Sequence, residues 1–456
     1  MDPESENSGR FRNFGAESPS HVRYGVLTFL CVLSFVLYLD RICIGQAVVP
    51  MQNDLHISSD KMGYVLAAFT LAYGLFEVPT GRWGDRFGSR RVLTRIVLWW
   101  SVFTALTGAA QGFVILLLVR FLFGAGEAGA LPNACRVIAR WFPPARRGTA
   151  QGFIVTAAQV GGVAAPVITV YSMEAIGWRW TFVLFGLLGV FWAAGFYFWF
   201  RDNPAEHRNV NGAELELLTE NNFAVAGLLD HPPVPWRKVL LSATVWLMGA
   251  IMACSAAVAY MYFSWYPKYL QEARGVPPVE SGWMSGLVLA GGAVGGVCGG
   301  YLGDWLLGLT GNRRWTRSGT GCLMFFLAAL ALVAAVRTDS PWLAAGWTAL
   351  ANLLAQVQLA AWWAVVTDIS GKHVGTMFGL MNSMGVPGAV FSQVFLGHFT
   401  EWMQFQGYEG RQCWDPVFYL FAVTFVIGAA CWLFVDSDKT IASENATSAP
   451  GQHDFS

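Results

Sequence analysis

Two acids and two arginines sit where the sequence otherwise reads as hydrocarbon. Asp40 and Arg41 interrupt VLSFVLYLDRICIGQAVVP (32–50). Arg120 and Glu127 lie seven apart in RFLFGAGEAGALPN (120–133), two turns along one helical face. At the centre of a bilayer each such charge costs roughly 2.5–3.5 kcal/mol on the gentlest insertion scale, so these groups must face one another, water or a ligand. An arginine presents a planar fork of donors that fits a carboxylate, which makes Arg41 and Arg120 candidates for gripping an anion. A carboxylate withdrawn from water is penalised in its charged form, so Asp40 and Glu127 suit the uptake and release of protons. The plainer alternative is a static ion pair, with Arg120 only a counter-ion to Glu127. Intramembrane ionisable residues more often mark a pathway.

The elements that carry these residues must be membrane helices. Of 456 residues 55% are hydrophobic and 13% charged, about half the charge of an ordinary soluble domain. Apolar runs long enough to cross a ~30 Å hydrocarbon core recur at 24–48, 62–81, 92–110, 112–134, 149–172, 179–200, 240–270, 280–303, 317–337, 341–367, 374–400 and 414–435. They lack the short alternating pattern of barrel strands. The expected fold is an all-α polytopic membrane protein of twelve transmembrane helices in two pseudo-symmetric six-helix bundles. The first run follows a basic lead and is too long for a cleavable signal. Lys and Arg set the orientation: Arg10, Arg12 and Arg23, then Arg82, Arg86, Arg90, Arg91 and Arg95, and most later basic residues share one side. Lys61, Arg179, Lys268, Arg274, Arg337 and Arg411 fall on the other. Both termini are therefore expected to be cytoplasmic.

The longest polar interior stretch, 201–238, divides the runs six and six. The expected organisation is a cytoplasmic tail (1–23), an N-terminal bundle (24–200), a cytoplasmic linker (201–238), a C-terminal bundle (239–435) and a second tail (436–456). The halves echo each other: GRWGDRFGSRR (81–91) against GYLGDWLLGLTGNRR (300–314), and GTAQG (148–152) against GTMFG (375–379). Such repeats suggest two bundles rocking about a midplane site. The eighth run carries glycine at 291, 295 and 299 and again at 292, 296 and 300, stripes that let helix backbones approach closely. The fifth and eleventh runs are similar. The sixth and twelfth are rich in Phe, Trp and Tyr, as suits helices facing lipid.

GRWGDRFGSRR, with Asp85, Arg86 and Arg90, resembles the loop between the second and third helices of the major facilitator superfamily, of the form G-x-x-x-D-R-x-G-x-R-R. The resemblance implies gating of the inner face for Asp85, Arg86 and Arg90, and for Asp304 in the weaker second copy, where Trp305 replaces the basic residue. Within that superfamily YLDR (38–41), YGLFEVPTGRWGDRFG (73–88), RFLFGAGEAGALPN and DNPAEH…ELELL resemble the anion:cation symporter branch, which includes bacterial sugar-acid transporters and vesicular glutamate and sialic acid carriers. The likeness spans the chain and is densest in its first half. It implies proton sites at Asp40 and Glu127 and a carboxylate-binding Arg41. It further implies sugar-hydroxyl contacts at Tyr38, Tyr73, Gln159 and Asn382. The tenth run supplies an aromatic wall from Trp362 or Trp363. Glu77, one turn after Tyr73, is either a second proton site or part of the gate; the gate is preferred here.

The expected function is proton-coupled symport of a small organic anion, a sugar acid such as a hexonate, hexuronate or aldarate, by a monomer in the cell membrane. An uncoupled facilitator or exchanger remains open, as more remotely does a membrane enzyme or sensor. Against an enzyme, no nucleophile–base or metal-ligand spacing stands out, and the seven His form no ligand cluster. The eight scattered cysteines resemble small hydrophobes. GAGEAG (124–129) spells a dinucleotide fingerprint but lies mid-helix with no preceding strand. The triplet Asn-Ala-Thr at 445–447 spells a glycosylation acceptor in the cytoplasmic tail, where it would go unused. No cofactor, metal or nucleic acid is implied.

Overall fold

The computed structural model describes residues 18–219, 234, 236–370 and 373–436, without the side chains of residues 78, 81, 82, 84–86, 219, 374 and 375. Residues 1–17 and 437–456 of the expected tails, with the 445–447 triplet, lie outside the described residues, as do the side chains of Asp85 and Arg86. The helices that cross the membrane are α1 (Val22–Leu55), α2 (Ser59–Phe87), α3 (Ser89–Gly108), and α4 (Phe113–Glu127, resumed at Ala130–Trp141). Next come α5 and α6, the two arms of Pro144–Trp199, then α7 (Ala243–Ser264, resumed at Tyr266–Arg274) and α8 (Pro278–Thr310). The last are α9 (Trp315–Gly319 with Thr320–Arg337), α10 (Pro341–Ser370), α11 (Val374–Ser383, resumed at Val386–Phe405) and α12 (Arg411–Phe434). Eight of these runs are individually long and apolar enough to cross a bilayer. The others are charged at one end (α2, α3) or broken (α11), and α5 and α6 are joined with no loop between them. Gly177 alone, at φ 77° and ψ 161°, reverses the chain there. Twelve crossings result, as the sequence predicts.

Three helices are interrupted, and each interruption is followed within three residues by a proline. In α4, Pro132 has no N–H to give the carbonyl of residue 128, and Gly129 takes a left-handed φ of 84°. A Cβ on Gly129 would stand 2.4 Å from the Thr80 hydroxyl. Pro267 follows the break in α7, and Pro387 the break in α11. The sequence reads each of these as one unbroken run.

The bundles α1–α6 and α7–α12 meet along α2 with α11 and α5 with α8. The end of the molecule that holds residues 18–23 is called near, the opposite one far. In the far half a single apolar core runs from bundle to bundle, joining Ile42, Val48 and Met51 to Met261, Tyr262 and Trp265. In the near half the N-terminal bundle has a core of its own, with Leu30, Leu93, Trp141 and Phe196. Polar clasps close the far end. Lys268 Nζ donates to Gln52 Oε1 (2.5 Å) and Ser59 Oγ (2.7 Å), and the Ser59 N–H donates to Glu401 (2.9 Å). At the near end Gly148 and Gly152 of α5, and Gly296 and Gly300 of α8, have nothing within 4 Å of where a Cβ would stand. The two bundles are thus closed at the far end and parted at the near end.

The two glycine stripes of α8 therefore differ. Gly291, Gly295 and Gly299 press on α10, where a Cβ would come within 2.3 Å of the Ala349 carbonyl, 2.1 Å of that of Leu353 and 2.8 Å of the Val357 Cα. In the other stripe only Gly292 has a neighbour, the Asn352 amide. The aromatics of α6 divide too. Phe191 and Phe198 are exposed, while Trp192, Phe196 and Phe200 are buried in a stacked row.

The segment expected as linker begins as part of the N-terminal bundle. Buried Glu214 accepts from Ser20 Oγ (2.5 Å), the Val22 N–H (3.2 Å) and Arg23 (3.2 Å), placing an acid at the start of α1. Asp202 accepts from the Arg90 N–H (2.9 Å), and His207 lies edge-on between Trp141 and Trp199. Burial, and then nearby Arg201, hold the His207 imidazole below its ordinary value.

Gly295→Leu, which must force a backbone carbonyl aside, is expected to lower stability by about 1–3 kcal/mol, read as a drop in melting temperature in detergent. Gly296→Ala, one residue on, should leave it unchanged; equal losses would mean that the stripes do not differ in packing.

Candidate functional site

Arg41 projects from the middle of α1 toward the space between the bundles and is only partly buried. Its guanidinium lies over the rings of Tyr73 (4.6 Å), Tyr38 (5.3 Å) and Phe69 (5.4 Å). Nε donates to Glu127 Oε1 at 2.9 Å, and Nη2 engages the same oxygen. Glu127 is buried, and its second oxygen has no hydrogen-bond partner among the described residues. Half of its accepting capacity is thus uncommitted beside a cation, in a medium where an unmet lone pair is costly.

Glycines bring this acid into position. Gly124 lets α4 close on α2, since a Cβ there would stand 2.4 Å from the Phe69 carbonyl. Gly126 makes room for the Trp99 ring, and the helix ends one residue later at Glu127. The GAGEAG run is thereby accounted for by packing.

Asp40 and Arg120 form a second layer behind the first. Consecutive residues on a helix point about 100° apart, so Asp40 cannot share Arg41's direction. It does not border the cavity between the bundles, whereas a reading of Asp40 and Arg41 as one cavity-lining feature would put it there. It is buried inside the N-terminal bundle with the Trp100 indole turned toward it, and neither oxygen has a hydrogen-bond partner of good geometry among the described residues. Arg120 is buried too, its guanidinium over the Phe123 ring (4.3 Å), in the combined field of Glu127 and Asp40. Its Nε and Nη1 have no hydrogen-bond partner among the described residues. Four ionisable groups of zero net formal charge thus sit in one patch of α1 and α4.

Between the bundles, next to Tyr38, lies a cavity of about 30 Å³, the room of about one water. Tyr38, Gln159 and Gly162 line one side, and Phe263, Gly292, Asn352 and Gln356 the other. Tyr38 and Tyr73 thus flank Arg41, and Gln159 stands with Tyr38 at the cavity. Glu77 is half-buried and accepts from the Tyr73 hydroxyl at 3.5 Å, at the edge of the cluster. The two tryptophans separate clearly. Trp362 is fully buried with its N–H on the Met248 carbonyl (2.9 Å), a packing position within the C-terminal bundle. Trp363 is 52% exposed and shares a helical face with Gln356, seven residues earlier. Asn382, at the interruption of α11, is half-buried and does not border the cavity.

Of the residues expected to gate, Arg90 and Asp304 lie at the near end on different helices. Arg90 is committed to α6, donating twice to the Tyr197 carbonyl (2.8 and 2.5 Å). Asp304 is exposed, and the ion pair near it joins Arg317 to Asp368 (3.5 Å).

The sequence reading misses several lining residues. Tyr260 of α7 reaches across to Arg41, Tyr38 and the Thr70 hydroxyl, and Gln393 bridges Thr70 (2.9 Å) to Ser264 (3.1 Å). Asn352 and Gln356, four apart in an apolar run, are a legible polar turn. Nothing marks Tyr260, one aromatic among many in α7.

A family model described as Major Facilitator Superfamily matches residues 30–393. The chain is 30% identical to a probable sulfoacetate transporter of Cupriavidus necator, over 94% of this chain and 98% of that protein. It is 30% identical to a probable galactarate/D-glucarate transporter of Bacillus subtilis (85% and 89% covered) and 32% identical to a probable L-galactonate transporter of Escherichia coli (69% and 68%). Among solved structures, its fold is similar to a bacterial homolog of the human lysosomal transporter Spinster in an inward-facing, occupied conformation, with TM-score 0.74, 22% identity and 91% and 96% coverage. It is likewise similar to a D-xylose–proton symporter (TM-score 0.69, 14%, 91% and 98%).

The rear layer yields a stability test. Arg120→Leu leaves Asp40 uncompensated in the bundle and is expected to cost about 3–5 kcal/mol, seen as a lower melting temperature in detergent. Adding Asp40→Asn should recover much of that loss; no recovery would mean that the two do not act as a pair.

Proposed function

The chain belongs to the Major Facilitator Superfamily, a family of membrane transporters, and on that premise we propose that it carries a small organic acid across the cell membrane by proton-coupled symport. The observation that carries the reading is the Arg41–Glu127 pair: a guanidinium at the edge of the space between the bundles, held by a buried carboxylate with a free lone pair. Protonating Glu127 removes the charge that holds Arg41 and leaves the fork to a substrate carboxylate. The aromatic box of Tyr38, Tyr73 and Phe69 keeps the guanidinium in place during the exchange.

A sugar acid is the substrate class that suits the surroundings best. The amides of Gln159, Asn352 and Gln356 stand around the cavity beside Tyr38 and offer donors and acceptors to hydroxyl groups. The names of the galactarate, glucarate and galactonate carriers among the relatives point the same way. At about 30 Å³ the cavity is too small for such an acid, so in this reading the substrate enters from the parted near end and the bundles adjust around it. With the termini cytoplasmic, the conformation described here faces inward. Trp363, rather than Trp362, is then the aromatic wall, Glu77 belongs to the inner gate with the 81–91 loop, and the functional unit is a monomer.

Proteoliposome uptake of a labelled panel of hexonates, hexuronates, aldarates and sulfoacetate, with and without an inward proton gradient, tests the reading. Gradient-stimulated uptake of a sugar acid is expected. Arg41→Ala is expected to lower uptake roughly a hundredfold, the loss of one charge-assisted anion contact. Glu127→Gln should keep counterflow and lose accumulation. Equal loss of both, or gradient-driven accumulation that survives, would remove Glu127 from coupling; uptake by the unmodified chain that ignores the gradient would leave an exchanger or facilitator.

A further inference from the structure

On the outer face of the N-terminal bundle, where α3 and α6 meet, runs an open groove of about 630 Å³. It faces away from the other half, since α3 touches none of α7–α12 among the elements in substantial contact. Its body is apolar: Leu98, Trp99 and Val102 are all exposed on this face, with Phe103 beyond them. Arg91 and Arg95 stand at its near end, and no acid lines it among the described residues. The thirteen residues from Arg91 to Phe103 rise about 18 Å along the helix, close to one leaflet of a ~30 Å core.

We propose that this groove binds one anionic phospholipid of the near leaflet, its phosphate on Arg91 and Arg95 and an acyl chain along Leu98, Trp99, Val102 and Phe103. Charge complementarity favours an anionic over a zwitterionic headgroup, because two guanidiniums meet it and nothing negative lies in the groove. Arg91 has no ion pair among the described residues, and Arg95 lies over the Trp83 ring (4.3 Å), so both charges are available. Neighbouring Arg90 is instead spent on the Tyr197 carbonyl. The Trp99 N–H is likewise spent, on the Leu122 carbonyl (2.9 Å), so its indole offers the groove an apolar face suited to an acyl chain. The floor is built rather than incidental. The Trp99 ring fills the notch at Gly126, where a Cβ would stand 1.8 Å from Cδ1, and the next residue is Glu127. A lipid seated there presses on the helix that carries the central acid.

Native mass spectrometry of the purified full chain, titrated with phosphatidylglycerol and separately with phosphatidylcholine, tests this. The first phosphatidylglycerol is expected to bind more tightly than phosphatidylcholine. Arg91→Ala with Arg95→Ala should weaken it roughly thirtyfold, the worth of two basic side chains at a membrane surface, while phosphatidylcholine is unaffected. The double lysine variant should keep most of the preference, and Val102→Trp, which fills the groove but keeps both arginines, should weaken both lipids. Equal affinity of the double alanine variant and the unmodified chain for phosphatidylglycerol overturns the proposal. So does displacement of the lipid by millimolar inorganic phosphate, which marks a site for the headgroup anion alone.

Discussion

The site depends on one contact, the guanidinium of Arg41 against the carboxylate of Glu127. Each charge alone would be expensive at this depth, and the pair is tolerable because the geometry is good and three aromatic rings flank the cation. The contact requires that α4 deliver an acid to α1 past α2, which in turn requires that α2 and α4 nearly touch. That is the work of Gly124 against the Phe69 carbonyl. Residues of no chemistry of their own, Gly124, Gly126 and Gly129, thus decide where Glu127 stands. Because the helix stops immediately after Glu127, the acid also sits at a joint.

The other interruptions, in α7 and α11, have the same origin in a proline that cannot complete the hydrogen-bond ladder. They fall where one bundle meets the other. Tyr260 and Ser264 precede the break in α7, and Gln393 follows the break in α11. A continuous helix transmits rotation along its whole length, whereas a jointed one lets its far segment stay clasped while its near segment swings. The far-end contacts of Lys268 with Gln52 and Ser59 and the parted glycines of α5 and α8 describe one position of such a mechanism. In the proposed cycle the Gly148–Gly152 and Gly296–Gly300 faces have the room to meet in the other position.

Much of the fold is legible in the sequence because a bilayer enforces it: backbone groups in hydrocarbon must pair within the segment, so a twenty-residue apolar run has few alternatives to a helix. What escapes is set by single residues whose meaning is tertiary. Gly177 turns α5 into α6 without a loop, and no composition marks it among fifty glycines. The paired acids and bases are visible because charge in such a run is conspicuous, but adjacency misleads. Asp40 and Arg41 look like one feature and point in different directions. Trp362 and Trp363 mislead in the same way, and only packing separates the buried one from the exposed one. Glu214 is unremarkable in a polar stretch, yet the start of α1 is built around it.

In the proposed symport, the two layers of charge supply the reason for a coupled cation. Asp40, Arg41, Arg120 and Glu127 sum to zero, so the centre is electrically balanced before anything binds. An organic anion that docks on Arg41 adds a negative charge to a place where uncompensated charge is costly. Either the anion carries a cation with it or one of the resident carboxylates takes up a proton. Of the two, Glu127 alone holds Arg41 directly, whereas Asp40 is buried behind it, beside the Trp100 indole and in the field of Arg120.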